Sequence, residues 1–220
     1  RIGAANILVK DDGGINAFNS DFTGIILSLA EAYYPGIVSE FLKEFGERFH
    51  IKVHQFFRAR LEYLFKQQPQ ALIVGCGGAG RAAAVAAAEL GFATVLMNRT
   101  PEKAGAIASA LPDYGFIVDP ITDFNEALKE CDLVIYTLPL ALPQIKALSA
   151  DDFVMENGPG KVILEANYKT PSFGEEELFK IASAEGKYVP GRRWLFYQAL
   201  AGYSLMTGID PDCAAMEKLL

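Results

Sequence analysis

Six residues, 75 to 80, read GCGGAG and fit the spacing G-x-G-x-x-G. Glycines at this spacing let the backbone approach a phosphate group closely, although alone the pattern is weak because glycines cluster in many turns. Here an apolar segment, residues 71–74, precedes it and an alanine-rich segment, residues 80–90, follows it. A strand, a glycine turn and a helix in this order are typical of a dinucleotide site, where free N–H groups at the helix start face the pyrophosphate. The residues predicted to bind the nucleotide are Gly75, Gly77, Gly78, Ala79 and Gly80.

The end of the next predicted strand, residues 93–98, indicates which nucleotide binds. NAD enzymes usually place an acidic residue about 20 residues after the glycines, where it accepts the ribose 2′-hydroxyl. This chain has Asn98, Arg99 and Thr100 there, and Lys103 follows. Two cations and a hydroxyl suit a 2′-phosphate, which a carboxylate would repel. The pattern favours NADP, and the alternative is that Arg99 and Lys103 are solvated charges at a helix start.

The glycine turn belongs to a longer region, residues 69–190, in which predicted strands and helices alternate. Strands are predicted at 71–74, 93–98, 133–137 and 162–166, and helices at 80–90 and 101–111. Alternation of this kind produces a parallel sheet with helices on both faces. The predicted fold class is therefore α/β, a Rossmann-like doubly wound parallel sheet.

The segments on either side of this region have other patterns. Residues 6–10 and 15–19 flank the turn sequence Asp11-Asp12-Gly13-Gly14 and predict a hairpin. Residues 21–68 have apolar side chains three or four apart, as in helices, with a break near Gly46. The last 30 residues are predicted mostly helical. Their predicted apolar stripe consists of Trp194, Leu195, Ala199, Leu200 and Tyr203.

Composition excludes several classes of protein. The net charge is −7 and no run of basic residues forms the face that nucleic acids require. No apolar stretch approaches the roughly 20 residues of a membrane helix. The three cysteines are far apart and lack the spacing of a metal site. We therefore expect free thiols in a reducing cytoplasm, with neither nucleic acid nor membrane as a partner.

Several short segments occur in the order found in shikimate dehydrogenases, the family that this chain resembles over nearly its whole length. They are Gly3-Ala4-Ala5-Asn6, Asn19-Ser20-Asp21, the glycine loop, Asn98-Arg99-Thr100, Tyr168 with Thr170-Pro171, and Gly191 leading to Gln198. The resemblance implies the NADP-dependent, reversible reduction of 3-dehydroshikimate to shikimate, a step of aromatic amino acid biosynthesis.

The resemblance also implies roles for individual residues and a division into domains. By position, Asn6, Asp21, Tyr168 and Gln198 contact the small-molecule substrate, and Gly191 joins the cofactor-binding residues. Asp21 is the implied catalytic partner of a lysine. Residues 1–21 are then a remnant of the substrate-binding domain, 22–68 a helical hinge with an insertion, 69–190 the NADP-binding domain, and 191–220 a C-terminal helix that returns to the substrate domain.

Three departures from the family pattern leave alternatives open. The family's catalytic lysine lies upstream of the segment matched by residues 3–6, so we expect further residues before Arg1. Tyr136, Leu138 and Ala141 stand where the family has an asparagine and small polar residues beside the nicotinamide. The segment between Asp21 and Gly75 is longer than the family usually has, and the excess is the aromatic-rich stretch 36–68. One alternative is a noncatalytic relative that binds nucleotide or a shikimate-like ligand as a sensor. Another is an NAD-dependent quinate dehydrogenase, against which Arg99 argues.

The aromatic residues of 36–68 must be buried, either within the chain, which we favour, or at the interface of a homodimer. His50 and His54, with Glu47 one turn earlier, have the spacing of metal ligands, but no further ligand is evident and no metal is predicted. We interpret Cys76 in the glycine loop as a small residue that fits the turn, in preference to a redox switch. Arg192, Arg193 and Trp194 suit either a clamp for an acid or a surface turn.

Overall fold

The computed structural model describes residues 2–45, 53–155 and 158–219. The chain begins with an antiparallel hairpin of β1 (Ile7–Asp11) and β2 (Gly14–Phe18), in which Ile7 pairs with Phe18. A carboxylate oxygen of Asp11 accepts a hydrogen bond from the Gly13 N–H at 2.8 Å and closes the turn. The predicted hairpin is confirmed.

Three helices follow the hairpin: α1 (Ser20–Tyr33), α2 (Ile37–Phe45) and α3 (Val53–Leu61). The side chain of Asn19 caps α1 by accepting a hydrogen bond from the Phe22 N–H at 3.3 Å, as short polar residues do at helix starts. The predicted break between the second and third helices falls on residues 46–52, outside the described residues.

Phe41 of α2 and the aromatic side chains of α3 pack within the chain. Phe41 and Phe57 are almost fully buried, and their ring centroids lie 5.6 Å apart. The ring of Phe56 contacts both, with its centroid 5.2 Å from that of Phe41 and 5.0 Å from that of Phe57. The hydroxyl of Tyr34 at the end of α1 donates to the Arg60 carbonyl at 2.8 Å. The described phenylalanines thus pack inside the chain as predicted, whereas Tyr63 of the same stretch is 90% exposed.

The rest of the chain forms one six-stranded parallel sheet with helices on both faces. Its strands are β3 (Gln70–Val74), β4 (Ala93–Met97), β5 (Ile117–Val118), β6 (Leu133–Tyr136), β7 (Val162–Glu165) and β8 (Lys187–Val189), in the order β5-β4-β3-β6-β7-β8. Its helices are α4 (Gly78–Glu89), α5 (Pro101–Ala110), α6 (Phe124–Glu130), α7 (Glu175–Ser183), α8 (Gly191–Thr207) and α9 (Cys213–Glu217). This strand order is that of a doubly wound dinucleotide-binding sheet, so the predicted fold class is confirmed.

Alternate residues of each strand point to opposite faces and build two cores. Ala71 and Ile73 of β3 pack with α1, α4 and α8, whereas Leu72 and Val74 pack with α6 and the segments around it. Burial on both faces explains why these strands are continuous apolar runs. No helix in the described ranges has the length and apolar character needed to cross a bilayer.

The apolar stripe predicted for α8 is partly wrong. Trp194 and Leu200 are buried, but Tyr203 is 38% exposed. Because α8 packs mainly against α1, its buried face is completed by Tyr197 and Ala201, which lie one and two turns after Trp194. Tyr203 lies on the opposite side of the helix, since nine residues correspond to two and a half turns.

Candidate active site

The glycine loop lies at the carboxyl end of β3, in the middle of the sheet. Gly75 has a φ of 104°, a backbone conformation that only glycine adopts readily, and its N–H donates to the Met97 carbonyl at 2.8 Å. A side chain at Gly80 would overlap the carbonyl group of Gly75, so these two glycines allow α4 to start close against the strand. The predicted strand, turn and helix are all present.

The open side of the loop has the shape and the donors that a pyrophosphate needs. A Cβ added at Gly77 or at Gly78 would meet no atom within 4 Å. The N-cap of α4 is Gly77, and no side chain caps the first turn. Backbone N–H groups at a helix start are thus left facing open space, where an anion is stabilised. The described residues of the loop fit a dinucleotide.

Asn98 lies beside this loop, but its side chain points into the protein. Its Oδ1 accepts a hydrogen bond from the Cys76 N–H at 3.1 Å, and its Nδ2 donates to the Thr100 carbonyl at 2.8 Å. The residue is buried. Asn98, predicted to bind the cofactor, therefore ties the glycine loop to the segment that carries Arg99, a positioning role that the sequence did not indicate.

Arg99, Thr100 and Lys103 are exposed at the end of β4 and in the first turn of α5. In the part of the chain that the structure describes, neither cation is paired with a carboxylate. Thr100 is the N-cap of α5 and makes no side-chain capping bond. Both cations and the hydroxyl are thus available to an anionic ligand at the same edge of the sheet as the glycine loop.

A cavity of about 160 Å³ adjoins the loop and collects residues from distant parts of the chain. Its wall contains Asp21 of α1, Tyr168 from the segment after β7, and Gln198 of α8. The other lining residues are Ala79, Ala166, Gly191, Trp194 and Leu195. The predicted substrate-binding residues Asp21, Tyr168 and Gln198 therefore share one cavity with the predicted cofactor-binding residues Ala79 and Gly191.

Gly191 lies where α8 starts, against the end of β7. A Cβ at this position would be 2.5 Å from the Ala166 carbonyl oxygen, so the close contact between helix and strand requires glycine. This contact brings the first turn of α8, with Trp194 and Leu195, to the cavity wall.

Asp21 is the half-buried carboxyl of the cavity, and its partners are neutral. The indole N–H of Trp194 donates to its Oδ1 at 3.2 Å. Burial raises the pKa of Asp21 above its usual value, and hydrogen bonds from Trp194 and Asn6 oppose this change by stabilising the charged form. Nothing in the sequence indicated a pairing of residues 173 positions apart, although Trp194 and Gln198 have the spacing of one helix face.

Asn6, the fourth predicted substrate-binding residue, does not line the described cavity. Its Oδ1 accepts from the Ser20 N–H at 2.9 Å, and its Nδ2 donates to the Ser20 hydroxyl at 3.2 Å. Asn6 thus joins the hairpin to the first turn of α1 and holds the segment that carries Asp21.

The loop after β6, whose residues depart from the family pattern, is fixed by Tyr136. The buried phenol of Tyr136 donates to the Leu140 carbonyl at 2.8 Å and accepts from the Leu142 N–H at 2.9 Å. Burial raises its pKa to about 12, so the hydroxyl stays protonated. The side chain of Tyr136 points into the core on the α6 side of the sheet. From there its hydroxyl holds the loop after β6 through Leu140 and Leu142.

Three other predicted features have structural explanations. The thiol of Cys76 is buried, and burial raises its pKa to about 11, which agrees with a small residue of the turn. Arg193 binds Glu217 of α9 at 2.7 Å and the Tyr197 hydroxyl at 3.1 Å. His50 lies outside the described residues, and His54 is 3.7 Å from Glu89.

The model of the shikimate / quinate 5-dehydrogenase family matches residues 60–158. A shikimate dehydrogenase (NADP(+)) of Moorella thermoacetica is 29% identical over the whole chain, which spans 65% of that protein's length. In solved structures, the quinate dehydrogenase of Corynebacterium glutamicum in complex with NAD has a TM-score of 0.69 at 18% identity, over 99% of this chain and 67% of that one. The shikimate 5-dehydrogenase of Thermus thermophilus in complex with NADP(H) and shikimate has a TM-score of 0.63 at 24% identity, with the same coverage. The family model and the curated relative thus show that the chain is similar to shikimate / quinate 5-dehydrogenases, and the two solved structures show the same fold.

Proposed function

We propose that the chain carries the NADP-binding domain and part of the substrate site of an NADP-dependent shikimate dehydrogenase. The reaction is the reversible reduction of 3-dehydroshikimate to shikimate in aromatic amino acid biosynthesis. The observation that supports it is the cavity in which Asp21, Tyr168 and Gln198 meet the start of α4. The proposal keeps residues 69–190 as the nucleotide domain, with residues 1–21 and 191–220 on the substrate side and 22–68 as the hinge.

NADP, when bound, supplies the hydride donor or acceptor. The chain's own contribution to binding it is the uncapped start of α4, where a Cβ at Gly77 or Gly78 would enter open space. Arg99 and Lys103 supply positive charge for a 2′-phosphate. Asn98 fixes the distance between these two groups by its bonds to Cys76 and Thr100.

The substrate side offers groups that suit a small hydroxylated ring. The Asp21 carboxylate accepts hydrogen bonds from hydroxyls, the Gln198 amide both donates and accepts, and the Tyr168 phenol does the same. Trp194 and Leu195 supply apolar wall. A pocket with a few converging polar groups and an apolar wall is typical of a small-molecule site.

Calorimetric titration with NADP and with NAD tests the cofactor. We expect NADP to bind more tightly than NAD, and Arg99→Ala to weaken NADP about 10-fold or more while changing NAD little, since a charged hydrogen bond to phosphate is lost. Lys10→Ala, a change of a lysine on the hairpin, is the matched control. Equal binding of both nucleotides by the unchanged chain would contradict NADP dependence.

Titration with shikimate in the presence of NADP tests the substrate. Binding should weaken in Gln198→Ala and Asp21→Asn but not in Asp11→Asn, a carboxyl of the hairpin turn. Quinate with NAD is the parallel titration, and tighter binding of that pair would favour the quinate dehydrogenase alternative.

A noncatalytic, ligand-binding relative is the second candidate, and one observation favours it. Among the described residues that line the cavity, the ionisable side chains are Asp21 and Tyr168, and no amine accompanies them. In the full protein, with any residues that precede Arg1, shikimate binding without any NADP reduction would support the sensor, whereas turnover would support the enzyme.

We propose a cytoplasmic location, and a homodimer is a further part of the proposal. The buried free thiols of Cys76 and Cys131 suit the reducing conditions of the cytoplasm. Association of the chain into a homodimer is tested by sedimentation velocity over a range of protein concentrations.

A further inference from the structure

The substrate side of the cavity is built on a close contact between α1 and α8. Gly24, one turn after Asp21, faces this contact: a Cβ there would lie 2.9 Å from the Cβ of Gln198 and 2.9 Å from Cδ1 of Trp194. Residues three apart on a helix share a face, as do residues four apart. The pair Asp21 and Gly24 on α1 therefore opposes the pair Trp194 and Gln198 on α8.

Within this contact the indole of Trp194 has two functions. Its N–H donates to Oδ1 of Asp21 at 3.2 Å, and the residue also lines the cavity. The side chain is only 3% exposed, so its position is fixed by the surrounding helices. A ring fixed in this way restricts the orientation of the carboxyl group that it binds.

From this geometry we infer that Trp194 is a positioning residue for Asp21, holding one carboxylate oxygen so that the other is directed to a ligand in the cavity. Gly24 makes this arrangement possible because it leaves room for the indole. The inference rests on the proposed function for the identity of the ligand, a small hydroxylated acid.

The electrostatic consequence is that the half-buried Asp21 can remain an ionised carboxylate that accepts hydrogen bonds from a ligand. Burial raises the pKa of Asp21, and the indole N–H opposes this by bonding to the ionised form. The hydrogen bond from Asn6 likewise lowers the pKa of Asp21. Tyr168 is the other ionisable side chain of the described wall, and no charged side chain is among the groups that shift the pKa of Asp21.

The test uses the fact that the chain contains a single tryptophan. In the ¹⁵N-labelled protein the one indole N–H resonance is followed from about pH 3 to about pH 8. We expect it to shift with the ionisation of Asp21, with a midpoint above the usual 3.8 of an aspartate, and to lose this titration in Asp21→Asn. The titration of the unchanged protein needs no variant, and Asp21→Asn serves only to assign it to Asp21.

A second measurement uses Trp194→Phe, which keeps an aromatic ring and removes the N–H. The pKa of Asp21, read from its ¹³C carboxyl resonance, should shift upwards, and shikimate should bind more weakly at neutral pH. Phe196→Leu, a change at another buried ring of α8, should lower stability without moving the pKa of Asp21.

An indole resonance that does not respond to pH, or an unchanged pKa of Asp21 in Trp194→Phe, would overturn the inference. Failure of the proposed function has a different signature. In that case shikimate does not bind the unchanged chain, while the indole resonance still follows Asp21.

Discussion

The side-chain oxygen of Asn98 accepts a hydrogen bond from the backbone N–H of Cys76 at 3.1 Å, and so joins the glycine loop to the end of β4. The buried Asn98 amide therefore links the two segments that we propose bind the nucleotide. We expect Asn98→Ala to lower the free energy of unfolding by about 1–3 kcal/mol, because the buried Cys76 N–H and the part-buried Thr100 carbonyl lose their partner. NADP affinity should fall as well. Thr100→Ala, at an exposed N-cap without a capping bond, is the control for denaturant unfolding and should change stability by about 0.5 kcal/mol or less.

Substitution by alanine should have different effects on stability at two glycines of the same loop. Gly80→Ala forces a methyl group against the Gly75 carbonyl, and we expect a loss of about 1–3 kcal/mol of stability from overpacking. Gly78→Ala adds a methyl group in open space at the start of α4 and should leave stability unchanged or raise it by up to about 1 kcal/mol. Its NADP binding should nevertheless weaken, since the methyl group enters the space that we propose for the pyrophosphate. Thermal unfolding and calorimetry on both variants separate the two effects, and tight NADP binding by Gly78→Ala would argue against this position for the pyrophosphate.

Removing the hydroxyl group of Tyr136 should loosen the loop at residues 137–142. Tyr136→Phe deletes the hydroxyl that bonds both Leu140 and Leu142. We expect a cost of about 1–3 kcal/mol in denaturant unfolding, the range for a buried group that loses its partner. Amide hydrogen exchange of Leu142 should become faster. Tyr63→Phe, at a side chain that is 90% exposed, is the matched control, and equal effects of the two changes would contradict the role given to Tyr136.

The pH dependence of stability should differ between two aspartates. Burial raises the pKa of Asp21 in the folded protein, so the folded state binds its proton more tightly than the unfolded state does. Its contribution therefore favours folding below the unfolded pKa and is lost as pH rises through the folded pKa. We expect Asp21→Asn to stabilise the protein at neutral pH and to lose this advantage in acid.

Asp152 should behave in the opposite way. Burial raises its pKa, but bonds from the Ser149 N–H and from Lys129 outweigh this and bring the pKa below the usual 3.8. Its contribution to stability is present above that value and is lost as pH falls. Asp152→Asn should therefore destabilise the protein at neutral pH and less so in acid. Urea unfolding of both variants at several pH values measures the two slopes, and slopes of the same sign would contradict these assignments.

The sequence was sufficient for the parts of the fold that depend on local pattern. The glycine turn, the apolar strand before it and the alanine-rich helix after it predicted β3 and α4, because each has its own periodicity and its own boundary residues. The hairpin around Asp11 and Gly14 was predictable for the same reason. The position of Arg99 at the end of β4 followed from the combined length of the strand, the glycine turn, the helix and the second strand.

What the sequence could not predict depends on side-chain direction and on contacts between distant segments. Asn98 looked like a ligand of the cofactor because it ends a strand, but its amide turns inward to Cys76 and Thr100. Lysines are rarely buried, yet Lys161 is, and its Nζ donates to the Leu128 carbonyl at 2.6 Å. The contact of Trp194 with Asp21 needs the crossing of α1 and α8, which no local pattern encodes.

The position of Trp194 also gives the protein an optical signal of its own. It is the single tryptophan of the chain, it is almost fully buried, and its indole is in contact with both Asp21 and the cavity. Tryptophan emission responds to the polarity and the charge around the ring, so excitation of the unlabelled protein reports on a single place. Ligand entry at the cavity can thus be followed by fluorescence on the millisecond time scale, without any attached dye.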